Sequence, residues 1–250
     1  MNENVPVSKT IKEPRDAANW AKSGENLKVG ELPKEATNLN VEGRRVVGPL
    51  EGFGQLWQKT YRVRLSGTTV TPIEVVQVWK EHFPEFQPPS NRFYPSVAGV
   101  QPGEVVMINA MTPGGPVSTG VMVLYSDEES FTLMTPQGHP ESGWVTFSAF
   151  EEDGVTVAQV QSLARANDPI YEMAFRFVGA SVQEKIWTHV LTSLAKHYGV
   201  QGAVSVQKTC VDPKLQWSGF KNIRHNAQIS TLLYTLGTPF RWVFSRGNKA

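Results

Sequence analysis

Three features of this chain predict an α+β fold in which a curved antiparallel sheet of about six strands wraps around one long C-terminal helix. Five strand-like runs follow one another between Glu104 and Ala164 with only short turns between them. An apolar stripe at helical spacing runs from Tyr171 to Leu194 behind a strong helix start, Asn167-Asp168-Pro169. A single strand and a short capped helix precede the five runs. A long helix with one greasy face needs a broad apolar surface to cover it, and the sheet is the surface available.

The first strand is Leu56 to Leu65, which alternates apolar with polar residues, is rich in β-formers and ends at Ser66-Gly67. Thr71-Pro72 then gives a helix cap with proline at the first helical position and Glu74 at the third. Ile73, Val76 and Trp79, with Val75, Val78 and His82, place apolar residues at helical spacing, and Pro84, Pro88 and Pro89 stop the helix. A proline-containing stretch without an assigned element runs from there to Gly103.

The five runs are Glu104 to Ala110, Val117 to Tyr125, Ser130 to Thr135, Trp144 to Phe150 and Val155 to Ala164. Their separators are too short for crossover helices, so the strands are expected to form a hairpin-linked meander. Several runs are apolar on both faces, which predicts a sheet covered on both sides over part of its length. The long helix is expected from Pro169 to Tyr198, capped by Asp168, with a bend or break at Gly179 and a C-terminal stop at Gly199. Its stripe is Tyr171, Phe175, Val178, Val182, Ile186, Val190 and Leu194.

Three regions are therefore expected: an extended or partly ordered arm over 1–45, a sheet-and-helix domain over 46–199, and a basic aromatic extension over 200–250. The arm carries apolar residues only singly (Ile11, Trp20, Leu27, Val29, Leu32, Leu39), too thinly spread to close a core. With one cysteine among 250 residues, Cys210, no disulfide framework or cysteine-built metal site is possible within the chain. The N-terminal segment lacks an apolar stretch that could act as a secretory signal, and no run is long enough to span a bilayer, so a soluble, cytoplasmic protein is expected.

The net charge of +1 conceals an uneven distribution. Residues 93–164 contain eight acids and no Lys or Arg, whereas residues 201–250 contain seven bases and the single acid Asp212. The C-terminal segment also holds Trp217, Phe220, Tyr234, Phe240 and Trp242, a mixture that could meet nucleic acid or an anionic membrane. Ile229, Leu232, Leu233 and Leu236 at helical spacing favour a different outcome: an amphipathic element folded back on the acidic sheet, within the molecule or across a homodimer.

In the order and length of its elements, the stretch from residue 50 to 199 resembles the START-like, helix-grip superfamily (SRPBCC, Bet v 1-like), which includes lipid-transfer and polyketide-cyclase relatives. The turn Thr135-Pro-Gln-Gly-His-Pro-Glu-Ser-Gly143 and the helix start Ala166-Asn-Asp-Pro169 are similar to an uncharacterised branch of it. The resemblance implies the fold and a tendency to enclose apolar small molecules; it transfers no catalytic residue.

An apolar small molecule or lipid, bound between sheet and helix without covalent chemistry, is thus the expected partner. The candidate lining is Trp79 and Phe83 from the first helix, Met107, Met122 and Met134 from the sheet, and Phe175, Val182 and Trp187 from the long helix. Methionine suits a pocket that accepts variable shapes. Tyr125, Asn109 and Arg165 are candidate polar contacts. For acid–base chemistry, the cyclase- or hydrolase-type alternative, the candidates are His139 and Glu141, two residues apart in one turn, where a carboxylate could hold an imidazole in one tautomer. The other histidines, His82, His189, His197 and His225, form no close metal-binding pair. No metal site and no cofactor is expected, and no nucleophile elbow or phosphate-binding glycine loop is present.

Overall fold

The computed structural model describes residues 16–22 and 26–246 of the chain. The side chains of residues 178–181 and 238–246 are outside that description, so Val178 of the apolar stripe, and Phe240, Arg241, Trp242 and Arg246 of the basic segment, lie outside the described side chains, as Ile11 and Lys249 lie outside the described residues.

One antiparallel sheet of eight strands organises the fold: β1 (Leu56–Arg64), β2 (Asn91–Pro95), β3 (Val105–Thr112), β4 (Gly115–Ser126), β5 (Ser130–Met134), β6 (Glu141–Glu152), β7 (Val155–Ala166) and β8 (Ser205–Asp212). Their spatial order is β2-β3-β4-β5-β6-β7-β1-β8. Six strands match expectation and two are additions. β2 lies in the proline-containing stretch and pairs with β3 through Asn91 to Pro95; its proline is tolerated at the end of an edge strand. β8 pairs with β1 and lies beyond Gly199, so the segment expected as an extension supplies the other edge of the sheet.

Helix α1 (Pro72–Glu81) begins with a capping box: Thr71 Oγ1 accepts the Glu74 N–H at 3.3 Å, and the Glu74 carboxylate accepts the Thr71 N–H at 2.7 Å. Helix α2 (Pro169–Ala174) is capped by Asp168, whose Oδ1 accepts the N–H groups of Ile170 and Tyr171 at 2.9 and 3.0 Å. A π-helical turn over Phe175–Gly179 separates it from α3 (Ala180–His197). The break expected at Gly179 therefore takes the form of a register change of the helical hydrogen bonds. Helix α4 (Ala227–Arg246) closes the structure and packs chiefly on β4.

The main core lies on one face of the sheet. Tyr61, Val63, Val121, Phe131, Leu133, Phe147 and Val160 from the strands meet Val76, Trp79 and Phe83 from α1 and its C-terminal flank, and Trp187, Val190, Leu191 and Leu194 from α3. The sheet grips α3, and this is the helix-grip arrangement. A second, smaller core covers the opposite face, where Leu27 and Val41 bury against Val105 and Met107. The stretch 27–47, sparse in apolar residues, is packed because the sheet already presents an apolar outer surface: each of its few side chains finds a preformed site. This is why strands β3 and β4 are apolar on both faces.

A buried polar network fastens the C-terminal segment down. The Arg165 guanidinium donates to the carbonyls of Gly54 (2.9 Å) and Lys214 (3.4 Å) and to Asp212 Oδ2 (3.1 Å). Asn222 Nδ2 donates to the carbonyls of Glu51 and Asn167 at 2.8 and 2.9 Å, and Asn226 Nδ2 donates to Asp168 Oδ2 at 2.8 Å. Each donor is buried, so each bond replaces water that folding removes.

Candidate functional site

Between the face of the sheet that carries the main core and the α2–α3 helices lies a cavity of about 430 Å³, within the size range of small-molecule sites. Its floor is built from inward residues of neighbouring strands: Phe93, Ile108, Val117, Val121, Leu133, Val145 and Ala164. Its roof is Phe175, Val182, Ile186 and Trp187, and Tyr171 and Gln228 stand where α2 meets the start of α4. Tyr171 Oη accepts the Gln228 N–H at 2.9 Å, which holds these two helices together beside the cavity. Burial pushes the Tyr171 phenol up, so it stays neutral at ordinary pH.

The eight candidate lining residues divide by the face on which they fall. Phe175, Val182 and Trp187 border the cavity. Trp79 and Phe83 are buried in the core beside it, their rings edge-on to Phe147 at 5.2 Å. Met107 and Met122 belong to the cluster on the outer face of the sheet, and Met134 pairs with Met122 on that face. Strand parity decides this: β3 alternates Val106 and Ile108 inward with Val105 and Met107 outward. With both faces buried, hydropathy alone does not reveal which is inner. Tyr125, Asn109 and Arg165 likewise do not line the cavity; Tyr125 packs under Trp20, ring centroids 4.7 Å apart.

His139 and Glu141 both border the cavity, at the end where β6 begins. The turn preceding them is closed by the C-terminal segment, since the Ala227 N–H donates to the Gly138 carbonyl at 2.9 Å. His139 Nδ1 lies 3.0 Å from the Glu141 backbone nitrogen and 3.1 Å from the Glu141 carbonyl oxygen, so the Glu141 backbone holds the ring in either neutral tautomer. The expected partner was the Glu141 carboxylate; the backbone of that residue takes its place. Burial pushes the His139 imidazole down to about 4. It is neutral at pH 7.

The Glu141 carboxylate is bound from the opposite side. Gln183 Nε2, on the first turn of α3, donates to Oε1 and Oε2 at 2.9 and 2.7 Å, and Lys59 Nζ on β1 donates to Gln183 Oε1. Burial pushes the Glu141 carboxyl up, opposed by the Lys59 charge and the Gln183 hydrogen bond. Lys59 faces Ser162 in the β1–β7 ladder, and Ser162 faces Val145 in the next, so Lys59, Ser162 and Val145 form one inward row. Ser162, Glu141 and Gln183 thus gather polar groups at one end of a mainly apolar cavity, and Asn91, Thr112, Thr119, Thr135 and Gln228 add polar groups elsewhere in its lining. Two further lining residues carry buried polar atoms without a hydrogen-bond partner: the Trp187 indole nitrogen and the Thr119 hydroxyl.

No feature of composition signals Lys59, Ser162 or Gln183. The register of three neighbouring strands and one helix turn brings them together. Among the described residues no group of three or more His, Cys, Asp and Glu side chains gathers as a metal site would. Cys210 is half-buried on β8, opposite Trp57. No described helix is long and apolar enough to cross a membrane.

No protein-family model matches the chain, and no curated protein matches its sequence. Solved structures similar to it include protein Ms6760 from Mycobacterium smegmatis, 14% identical over 62% of this chain and 96% of that one, with a TM-score of 0.42. Ara h 8.0201 is 15% identical over 57% of this chain and 97% of its own, with a TM-score of 0.41. The di-domain ARO/CYC StfQ from the steffimycin biosynthetic pathway is 12% identical over 58% of this chain and 53% of its own, with a TM-score of 0.43. The likenesses concern the fold alone.

Proposed function

We propose that the protein binds an apolar or amphipathic small molecule in the cavity between the sheet and α3, without covalent chemistry. The observation that carries this reading is a hollow of about 430 Å³ lined mainly by aliphatic and aromatic side chains. Most of its walls cannot hydrogen-bond to water, so an apolar occupant suits the lining better than solvent does.

The alternative, a cyclase- or hydrolase-type enzyme using the same cavity, draws on one observation: Glu141, its carboxyl pushed up by burial, borders the hollow next to His139. A carboxyl poised nearer neutrality suits proton transfer. The binding reading accounts for the apolar remainder of the lining, which acid–base chemistry does not require.

Native mass spectrometry of the protein purified without added ligand tests the proposal, together with extraction of the bound fraction into organic solvent. A retained apolar compound at near-stoichiometric occupancy is expected. Protein that carries no compound and takes up neither fatty alcohols nor aromatic hydrocarbons from solution would overturn it.

A further inference from the structure

A 3₁₀ helix spans Trp217–His225, in the chain after β8 and outside the grip of the sheet on α3. With three residues per turn, its side chains fall into columns: Gly219, Asn222 and His225 in one, Trp217, Phe220 and Ile223 in the next, Ser218, Lys221 and Arg224 in the third. The first column is fixed to the protein. A β-carbon on Gly219 would lie 2.7 Å from the Gly52 carbonyl oxygen, Asn222 donates to the Glu51 and Asn167 carbonyls, and Arg44 donates to His225 Nδ1. The other two columns are thereby turned outward. Trp217 is 70% exposed and Phe220 50%, their rings stacked with centroids 6.4 Å apart, and the buried Phe53 meets them edge-on at 5.4 and 6.4 Å. Leu50, 78% exposed, belongs to the segment 50–53 on which this helix is seated. Large apolar side chains are thus held in water by a scaffold that gives them no route inward, the mark of an interaction surface.

Cations surround this apolar ridge. Lys221 and Arg224 stand exposed in the column beside it, Lys214 is exposed just before it, and residues 213–237 contain no Asp or Glu. Burial, then the charges of Arg44, Arg224 and Arg45, hold the His225 imidazole below its usual value, so three guanidinium groups gather near the end of the helix. Glu51, the acid in the segment beneath the helix, is paired with Arg45. We propose that this ridge docks the protein on an anionic lipid bilayer, Trp217, Phe220 and Leu50 entering the boundary between headgroups and acyl chains while Lys221 and Arg224 meet lipid phosphates. Tryptophan favours that boundary, which accommodates an apolar ring and a polar N–H together. Each base adds attraction to a negative surface. Single-stranded nucleic acid fits the ridge less well: a base needs an open ring face, whereas Trp217 and Phe220 stack on each other and Leu50 offers nothing to stack on. None of these residues lines the cavity, so the docking surface stands whether or not the cavity holds a ligand.

Co-sedimentation of the full-length protein with vesicles of phosphatidylcholine alone, and of phosphatidylcholine mixed with phosphatidylglycerol, tests this. Binding to the anionic vesicles is expected to be roughly tenfold or more tighter than to the neutral ones and to weaken as salt is raised, with tryptophan emission quenched by brominated acyl chains. Trp217→Ser with Phe220→Ser, and separately Lys221→Glu with Arg224→Glu, are each expected to weaken it by roughly tenfold or more. The charge variant alters no ring and serves if the first does not fold. Val97→Ser, at an apolar position 89% exposed elsewhere on the surface, is expected to leave binding unchanged. No binding to the anionic vesicles, equal binding to both kinds, or undiminished binding in either double variant would overturn the proposal. So would tighter binding of oligothymidine than of the vesicles, or self-association in solution that Trp217→Ser with Phe220→Ser abolishes.

Discussion

Gly138 and His225 approach so closely that a β-carbon on Gly138 would lie 2.0 Å from the His225 carbonyl oxygen. The turn carrying His139 and Glu141 is thereby seated directly on the backbone of the C-terminal segment, 87 residues away in sequence (225 minus 138). Gly138 also adopts φ +92°, a conformation side chains rarely tolerate.

Gly138→Ala is accordingly expected to destabilise the protein by about 2–4 kcal/mol, strain and displacement of the His225 backbone adding together. Gly154→Ala supplies the control: φ is +70° there, with nothing within 4 Å of the added carbon, so a loss of about 1 kcal/mol is expected. Urea unfolding of both variants gives the comparison. Equal losses would show that the contact with His225 contributes nothing.

His139 makes stability depend on pH in a calculable direction. Its imidazole titrates near its ordinary value of 6.5 when unfolded and at about 4 when folded. Between those values the unfolded chain binds the extra proton, so stability falls as pH drops from 6.5 towards 4 and is restored above 6.5. The full excursion is worth roughly 3 kcal/mol. In His139→Gln, the difference in unfolding free energy from wild type is expected to shift by that order between pH 7 and pH 4, in favour of the variant at low pH. A pH-independent difference would contradict the burial of a neutral ring.

Asp168 caps α2 and also receives Asn226 Nδ2, so it links the helix start to the head of α4. Asp168→Ala is expected to cost about 3 kcal/mol and Asn226→Ala about 1–2 kcal/mol. Because the two share a bond, a double-mutant cycle should return a coupling of about 1 kcal/mol or more. Additive losses would refute the link.

Arg165 is 2% exposed and supplies donors to Gly54, Lys214 and Asp212. Arg165→Met is expected to destabilise by about 2–4 kcal/mol, since it strands the buried Gly54 carbonyl and removes the guanidinium that ties Asp212 and Lys214 to the sheet. Arg165→Lys is expected to recover little, because one ammonium does not span the positions a planar guanidinium reaches. Amide exchange in 212–216 should accelerate in both variants, while exchange in β5 should not.

Filling the hollow separates binding from folding. Val145→Phe together with Ile186→Phe places two rings in the cavity and is expected to abolish uptake of apolar compounds while leaving thermal stability unchanged or higher. Uptake that survives the double substitution would place the ligand elsewhere.

The strands of the meander, the capping box at Thr71 and Glu74, and the helix start at Asp168 were legible in the sequence because each depends on residues within one or two turns of one another. So was the interruption near Gly179, although its form as a π-helical turn was not. β2 and β8 were not legible: Pro95 and the polar run Ser205 to Thr209 make poor strands alone, and they are strands because β3 and β1 offer unpaired edges. The candidate site divided in the same way. His139 and Glu141 stood out because they are neighbours in sequence, whereas Lys59, Ser162 and Gln183 come from three separate elements.

The sequence by itself determined the local elements, the antiparallel order of the meander and the need for a sheet to cover the long helix, since periodicity and capping act over a few residues. Tertiary structure alone decided which face of the sheet is hollow and which is solid. Residues 27–47 bury against one face of β3, the hollow under α2 and α3 lies over the other, and a strand buried on both sides carries no hydropathic mark of which way is in.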